Sequence, residues 1–214
     1  MTHAQTPQPP FIIGIVGGTG SGKTTVAERI VEGIPDGHAV MIQHDWYYRD
    51  ISDMPLEERA RFNFDEPAAL DNELLAEHIR ALREGHAVQC PQYDFKGHLR
   101  TQETLRVEPR RIIVVEGILL FAVPQLRELF DLGIFIDTAD DIRLMRRIKR
   151  DILHRGRDIE SIQRQYYETV RPMHKQHVEP TRQYAHLIIP EGGENRRAID
   201  VIVGKLLYLL ALRA

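Results

Sequence analysis

Cysteine is nearly absent: Cys90 stands alone in 214 residues. One thiol can neither close an internal disulfide nor furnish a cysteine-based zinc site, so both scaffolds are excluded. Long apolar runs are missing too. Phe11–Val16 ends at Gly17 and Val201–Leu212 is broken by Lys205; neither reaches the ~20 apolar residues of a membrane span. An excess of one charge is also lacking. Twenty-eight Lys and Arg against 31 Asp and Glu leave −3, which asks for neither nucleic acid nor an anionic membrane. Residues Met1–Pro10 have no basic start, and their polar, proline-bearing composition predicts a frayed, disordered tail without an export signal. A reducing cytoplasm is the expected compartment.

What is present reads as one globular domain over residues 11–214. Hydrophobic residues are 43% and charged residues 28%, close to the globular average. Apolar runs Phe11–Val16, Ala39–Gln43, Arg111–Val115, Ile134–Asp137 and Leu187–Ile189 are continuous, as in strands covered on both faces. Amphipathic stretches Thr24–Glu32, Asn72–Glu84, Asp140–Leu153 and Ile159–Val170 alternate with them. That order predicts an α/β fold, a parallel sheet flanked by helices. Strict alternation occurs only in Ala87–Glu108, where a short strand Leu105–Glu108 is expected to pair back as a small β-hairpin.

The sharpest motif is Gly17-Gly18-Thr19-Gly20-Ser21-Gly22-Lys23-Thr24, followed by Thr25. It follows the first apolar run and opens a helix. Glycines let successive main-chain N–H groups turn inward as an anion nest, Lys23 can bridge outer phosphates, and the Thr24 hydroxyl can ligate Mg²⁺. The pattern G-x-x-x-x-G-K-T is a P-loop, and it places the chain among P-loop NTPase-type folds. It implies a nucleoside triphosphate without saying what is done with it. A kinase, a GTPase-type switch and an ATP-driven module remain. Asn63, Asn72 and Asn195 are not followed by Lys, so the usual guanine-reading Asn-Lys-x-Asp is absent.

A kinase needs an acceptor site. Asp45 follows the second apolar run, and Glu116 ends the run through Val115. Both are expected at carboxyl ends of strands, where open α/β sheets bind ligands. There Asp45 can accept a hydroxyl proton and Glu116 can hold the magnesium or its waters.

Further segments carry a resemblance. They are Gln43-His44-Asp45-Trp46-Tyr47-Tyr48, Phe62–Pro67, Pro91–Phe95 with His98-Leu99-Arg100, Glu116–Leu119, Met145–Asp151 through Asp158, and Arg171-Pro172-Met173. With the P-loop, in this order, the chain from about Ile12 to its last helix resembles the uridine–cytidine kinases. The resemblance implies phosphoryl transfer from ATP or GTP to the 5′-hydroxyl of uridine or cytidine, giving UMP or CMP in pyrimidine salvage. It implies Asp45 as general base, with Thr24, Asp45 and Glu116 as Mg²⁺ contacts. It further implies Asp65 and Arg147 at the ribose, Tyr93 and His98 at the pyrimidine edge, and Phe64 and Phe95 packing around the ring. Arg157 and Gln165 match further nucleoside contacts, and Arg150 and Arg155 match phosphate-side arginines on a mobile helical lid, about 150–160. A homotetramer and restraint by UTP and CTP are family properties.

Chemistry agrees with this assignment. A carboxylate such as Asp65 accepts both hydroxyls of a cis-diol, and a neutral His98 offers one donor and one acceptor, serving either pyrimidine. An aromatic slot would refuse purines. Arg155-Gly156-Arg157 has a glycine hinge between two planar forks suited to phosphoryl groups, whereas Arg143 and Arg146 are expected on a solvated helix face. Acidic residues interleave the arginines and no aromatics alternate with them, unlike a nucleic-acid surface. His174 and His177 lack a third ligand for zinc, and histidines other than His98 are expected to be mostly exposed. Tyr166 and Tyr167 are expected to pack, Tyr47 and Tyr48 either to wall the pocket or to pack, and Leu206, Leu207, Leu209 and Leu210 to face the core. Trp46, Gln92 and Glu191 depart from the family pattern. Another small-molecule kinase and a slowly hydrolysing regulatory protein are the competing readings.

Overall fold

In the computed structural model, residues 8–59 and 61–212 are described; most of the expected tail lies outside them. In chain order the strands are β1 (Phe11–Gly17), β2 (Ala39–Gln43), β3 (Val88–Asp94), β4 (Leu99–Val107), β5 (Ile112–Glu116), β6 (Leu132–Asp137) and β7 (Leu187–Pro190). The helices are α1 (Lys23–Glu32), α2 (Leu56–Arg59), α3 (Asn72–Arg83), α4 (Pro124–Arg127), α5 (Asp140–Arg155), α6 (Ile159–Gln165), α7 (Arg171–Met173) and α8 (Arg196–Leu212).

Branching at Cβ suits Ile and Val to extended backbone, and these residues build a parallel sheet in the order β2-β5-β1-β6-β7. Side chains alternate across it. Ile12, Val16, Ile113 and Val115 enter one core with α3, through Leu75 and Ile79. Ile13, Ile15, Ile112 and Val114 enter the other with α1 and α8, through Val26, Ile30, Ile202 and Leu206. Burial on both faces explains the continuous apolar runs. The fold is the α/β sheet expected.

Local chemistry sets the helix ends. Asp71 caps α3, its carboxylate accepting from the Leu74 N–H at 3.3 Å, and Asp158 caps α6 by accepting from Ser161 at 2.7 Å. Gly156 closes α5 at φ 66°, a left-handed position that glycine adopts without Cβ strain.

Three boundaries differ from expectation. The second hairpin strand starts at Leu99 rather than Leu105, because a register shift between Pro91 and Tyr93 lets Asp94 pair with Leu99. Its exposed face is polar, so apolar alternation under-reports it. The helix from Ile159 widens into π turns at Tyr166–Val170 and again at His174–Val178. Each precedes a proline, Pro172 or Pro180, whose missing N–H and bulky ring spoil the regular i−4 bond. On α8, Leu206 is buried but Leu207 is exposed, so the leucine cluster faces the core only in part.

Leu75→Ala, at a fully buried α3 position, should destabilise the fold by about 2–5 kcal/mol through lost contact and a residual cavity. Denaturant unfolding measures it.

Candidate active site

The P-loop joins β1 to α1 at the carboxyl edge of the sheet. Gly20 and Gly22 take φ of 76° and 90°, turning the main chain so that N–H groups cluster at the start of α1. Neighbours brace the loop: the Thr138 hydroxyl donates to the Ser21 carbonyl at 3.0 Å, Arg146 reaches the same oxygen at 3.4 Å, and Arg29 donates to the Gly193 carbonyl. A side chain at Gly192 would strike the Ser21 carbonyl. Gly17 lies under the Ser21 hydroxyl and Gly18 under Arg143. Thr25 is exposed and its methyl faces Gly193.

Lys23 and Glu116 meet beneath the loop at 3.6 Å, both largely buried, and the Thr24 hydroxyl donates to Glu116 Oε1 at 3.1 Å. Burial pushes the Glu116 carboxyl up, opposed by the Lys23 ammonium, with Asp45 adding to the rise. Glu116 Oε2 is buried without a hydrogen-bond partner. Two neighbouring carboxylates and a hydroxyl make a hard-oxygen set that suits Mg²⁺, which keeps several waters and shares phosphate oxygens. The donors fit.

Asp45 sits in the turn His44–Tyr47 directly after β2. One cavity brings it together with Thr19, Lys23, Phe64, Asp65, Tyr93, Phe95 and His98 on one side, and Arg147, Arg150, Arg155, Arg157 and Gln165 on the other. Asp65 follows an Asn63 turn. Burial raises its carboxyl pKa, Arg147 opposes this most strongly, and Asp45 adds to the rise. Gln165 Oε1 accepts from Arg147 at 2.6 Å and from Arg157 at 2.5 Å. The Phe64 and His98 rings stack at 5.3 Å and 17°, and Tyr93 meets Phe95 edge-on at 5.3 Å. His98 adopts φ 53°. Burial, then Arg157 and Arg155, push its imidazole down, which keeps it neutral. The cavity is about 50 Å³, well below the ~150 Å³ that admits benzene; stacked rings and guanidiniums fill it.

Sequence reasoning did not single out Ile118, which lines the cavity, or the fully buried Asp151, which is ion-paired with four arginines. Tyr48 also lines the cavity, whereas Tyr47 is fully buried, bonded to His78 at 2.9 Å. Tyr48 follows Asp45 by one turn, which is the signal that could have favoured it as a wall. Arg143 corrects the expected solvated face. It is buried and donates to the Thr138 carbonyl at 3.1 Å and to Asp140 at 2.6 Å, because the P-loop lies over that helix face. His174 meets Arg143 at 3.1 Å. The histidines are less exposed than expected: His44 is fully buried, and His78, His174 and His177 are partly so. Tyr166 and Tyr167 pack edge-on at 5.7 Å, though Tyr167 is exposed. Trp46 packs partly buried against the core, the Gln92 carbonyl accepts from Thr101 at 3.3 Å, and Glu191 takes φ 63°. Among the described residues no helix is long and apolar enough to cross a membrane.

The family model described as phosphoribulokinase/uridine kinase matches residues 12–198. The chain belongs to the phosphoribulokinase/uridine kinase family. Within this family it is similar to a uridine kinase of Halalkalibacterium halodurans, 51% identical over 96% of this chain and 97% of that protein. A uridine kinase of Chloroflexus aurantiacus is 50% identical over 92% of this chain and 94% of that protein. The fold matches phosphoribulokinase from Rhodobacter spheroides, with a TM-score of 0.64 at 19% identity, covering 86% of this chain and 71% of that one.

His44, the neighbour of Asp45, is fully buried and paired with Asn72. Asn72 donates to the carbonyls of Pro67 at 2.8 Å and Leu70 at 3.2 Å, so its side-chain oxygen accepts from His44 Nε2–H at 3.0 Å. Burial pushes the imidazole down to about 4. The unfolded chain, with His near 6.5, therefore binds the extra proton between these values. Stability from this group is complete above pH 6.5 and is lost as pH falls toward 4, on the order of 3 kcal/mol. His44→Gln should flatten that part of the pH dependence, measured by denaturant midpoints at pH 7 and 4.5.

Proposed function

We propose that this chain is a uridine/cytidine kinase of pyrimidine salvage, moving the γ-phosphoryl group of ATP or GTP to the nucleoside 5′-hydroxyl to give UMP or CMP. The observation that carries this reading is the shared cavity, where Lys23 and Asp45 line the same space as Asp65 and an aromatic wall. The names of the half-identical relatives support uridine as acceptor.

In this reading the P-loop amides of Gly17–Thr25 and Lys23 hold the outer phosphates of the donor. Asp45 accepts the 5′-hydroxyl proton as that oxygen bonds the γ-phosphorus, and the bond from phosphorus to the β-side oxygen breaks to release ADP or GDP. Thr24, Asp45 and Glu116 hold Mg²⁺, which supplies positive charge against the phosphate oxygens. Asp65 takes the ribose diol, with Arg147 beside it. Tyr93 and His98 meet the pyrimidine edge while Phe64 and Phe95 flank the ring. Gln165 orients Arg147 and Arg157, and Arg150, Arg155 and Arg157 face the transferring group from a lid at 150–160. Purines are too large for the slot. A cytoplasmic homotetramer restrained by UTP and CTP belongs to the same reading.

ADP release should depend on uridine or cytidine and be negligible with adenosine or without acceptor. Equal release without acceptor would favour a hydrolysing regulatory protein. Asp45→Asn should lower kcat by about 10²–10⁴-fold, the usual worth of a general base, while ATP binding measured by calorimetry persists. Near-normal turnover would remove that role.

Asp65→Ala should raise KM for uridine by roughly 10- to 150-fold, the equivalent of losing a charged hydrogen bond of about 1.5–3 kcal/mol. It should also narrow the preference for uridine over 2′-deoxyuridine, and competition kinetics would expose an unchanged preference.

A further inference from the structure

Asp151 is a carboxylate with no exposed surface and four guanidiniums around it. Arg150 binds one oxygen closely, at 2.8 Å, with Arg155 at 3.8 Å from the same oxygen. Arg147 at 3.6 Å and Arg157 at 3.5 Å share the other. One negative charge faces four positive ones. Asp65 lies near enough to act on Arg147 and Arg157 and Asp45 on Arg155, yet four guanidiniums against three carboxylates leave the cluster positive beside the P-loop. Such an excess in a half-buried place is costly unless an anion completes it.

The distances divide the work. Arg150 donates a close hydrogen bond from Nε at 2.9 Å and Arg157 a long one at 3.5 Å, whereas Arg147 and Arg155 sit beyond N–H···O reach. Asp151 thus holds Arg147 and Arg155 by charge, and Arg150 and Arg157 by hydrogen bonds as well. Arg147 Nε is buried without a hydrogen bond and faces the Asp151 carboxylate at 3.6 Å, while its two terminal nitrogens bond Thr19 and Gln165. The main chain of the same residue adds a second hold. The Asp151 carbonyl accepts from the N–H of Gly156, the cap of α5, and from the N–H of Arg157 at 3.1 Å. One residue therefore ties the helix, its left-handed glycine and the arginine beyond it.

We propose that Asp151 is a positioning residue for phosphoryl transfer: its buried carboxylate gathers Arg147, Arg150, Arg155 and Arg157 into one fan beside the P-loop. This rests on the kinase reading above. A bound triphosphate competes with Asp151 for the loosely held forks, so the carboxylate sets where they wait and the phosphates draw them closer as charge shifts during transfer.

The test compares the full chain with Asp151→Glu and Asp151→Asn, measuring uridine-dependent kcat, inhibition by inorganic tripolyphosphate, and melting temperature. Asp151→Glu keeps the charge and displaces it by one methylene. It should lower kcat at least 10-fold while the tripolyphosphate Ki stays within 3-fold and melting moves by only a few degrees. Asp151→Asn should lower kcat at least 100-fold and, with one negative charge fewer, bind tripolyphosphate as tightly or more tightly. Should Asp151→Asn fail to fold, Asp151→Glu decides alone. A kcat within 2-fold of wild type in Asp151→Glu overturns the proposal. So does a parallel loss of kcat, tripolyphosphate binding and melting temperature, which marks a purely structural carboxylate. A wild-type chain without uridine-dependent ADP release removes the kinase reading and the positioning role with it, whereas active wild type with unaltered Asp151→Glu removes the positioning role alone.

Discussion

A parallel sheet delivers the carboxyl ends of its strands to one edge, and this constraint organises the rest of the molecule. The P-loop leaves β1 there, Asp45 follows β2, and Glu116 closes β5. Because β5 lies between β1 and β2, Glu116 can reach Lys23 and Thr24 and also act on Asp45. Residues far apart in sequence converge through strand order alone.

Charge burial is the second theme, and it is handled in groups. Lys23 is matched by Glu116, and Arg143 by Asp140 and the Thr138 carbonyl. At α5 the matching is incomplete, with four arginines on Asp151 and with Asp65 and Asp45 acting on three of them. Burying charge with incomplete pairing is costly, and here the cost falls beside the P-loop.

Much of this was legible in the linear chain. Phe11–Val16 and Ala39–Gln43 had to be covered strands because their apolar residues run without alternation, and the loop Gly17–Thr24 has a spacing with a mechanical meaning. Asp45 and Asp65 were legible through strand-end placement and family resemblance. Less legible was whatever depends on packing between distant elements. Arg143 looks like any cation of an amphipathic helix until the P-loop is laid over it. His44 looks like a surface residue until Asn72 arrives from another element to take its N–H. The π turns before Pro172 and Pro180 were readable in principle, since a missing N–H must disturb the preceding turn.

The small volume between His98, Phe64 and the guanidiniums has an energetic corollary. A ring cannot enter while those groups occupy its place, so any nucleoside affinity is the intrinsic contact energy less the work of parting them. His98, at φ 53°, and Gly156, at φ 66°, both stand outside the five-stranded sheet. The same 50 Å³, lined by charged and polar side chains, has room for water at rest. Binding is therefore only as tight as the new contacts exceed that work.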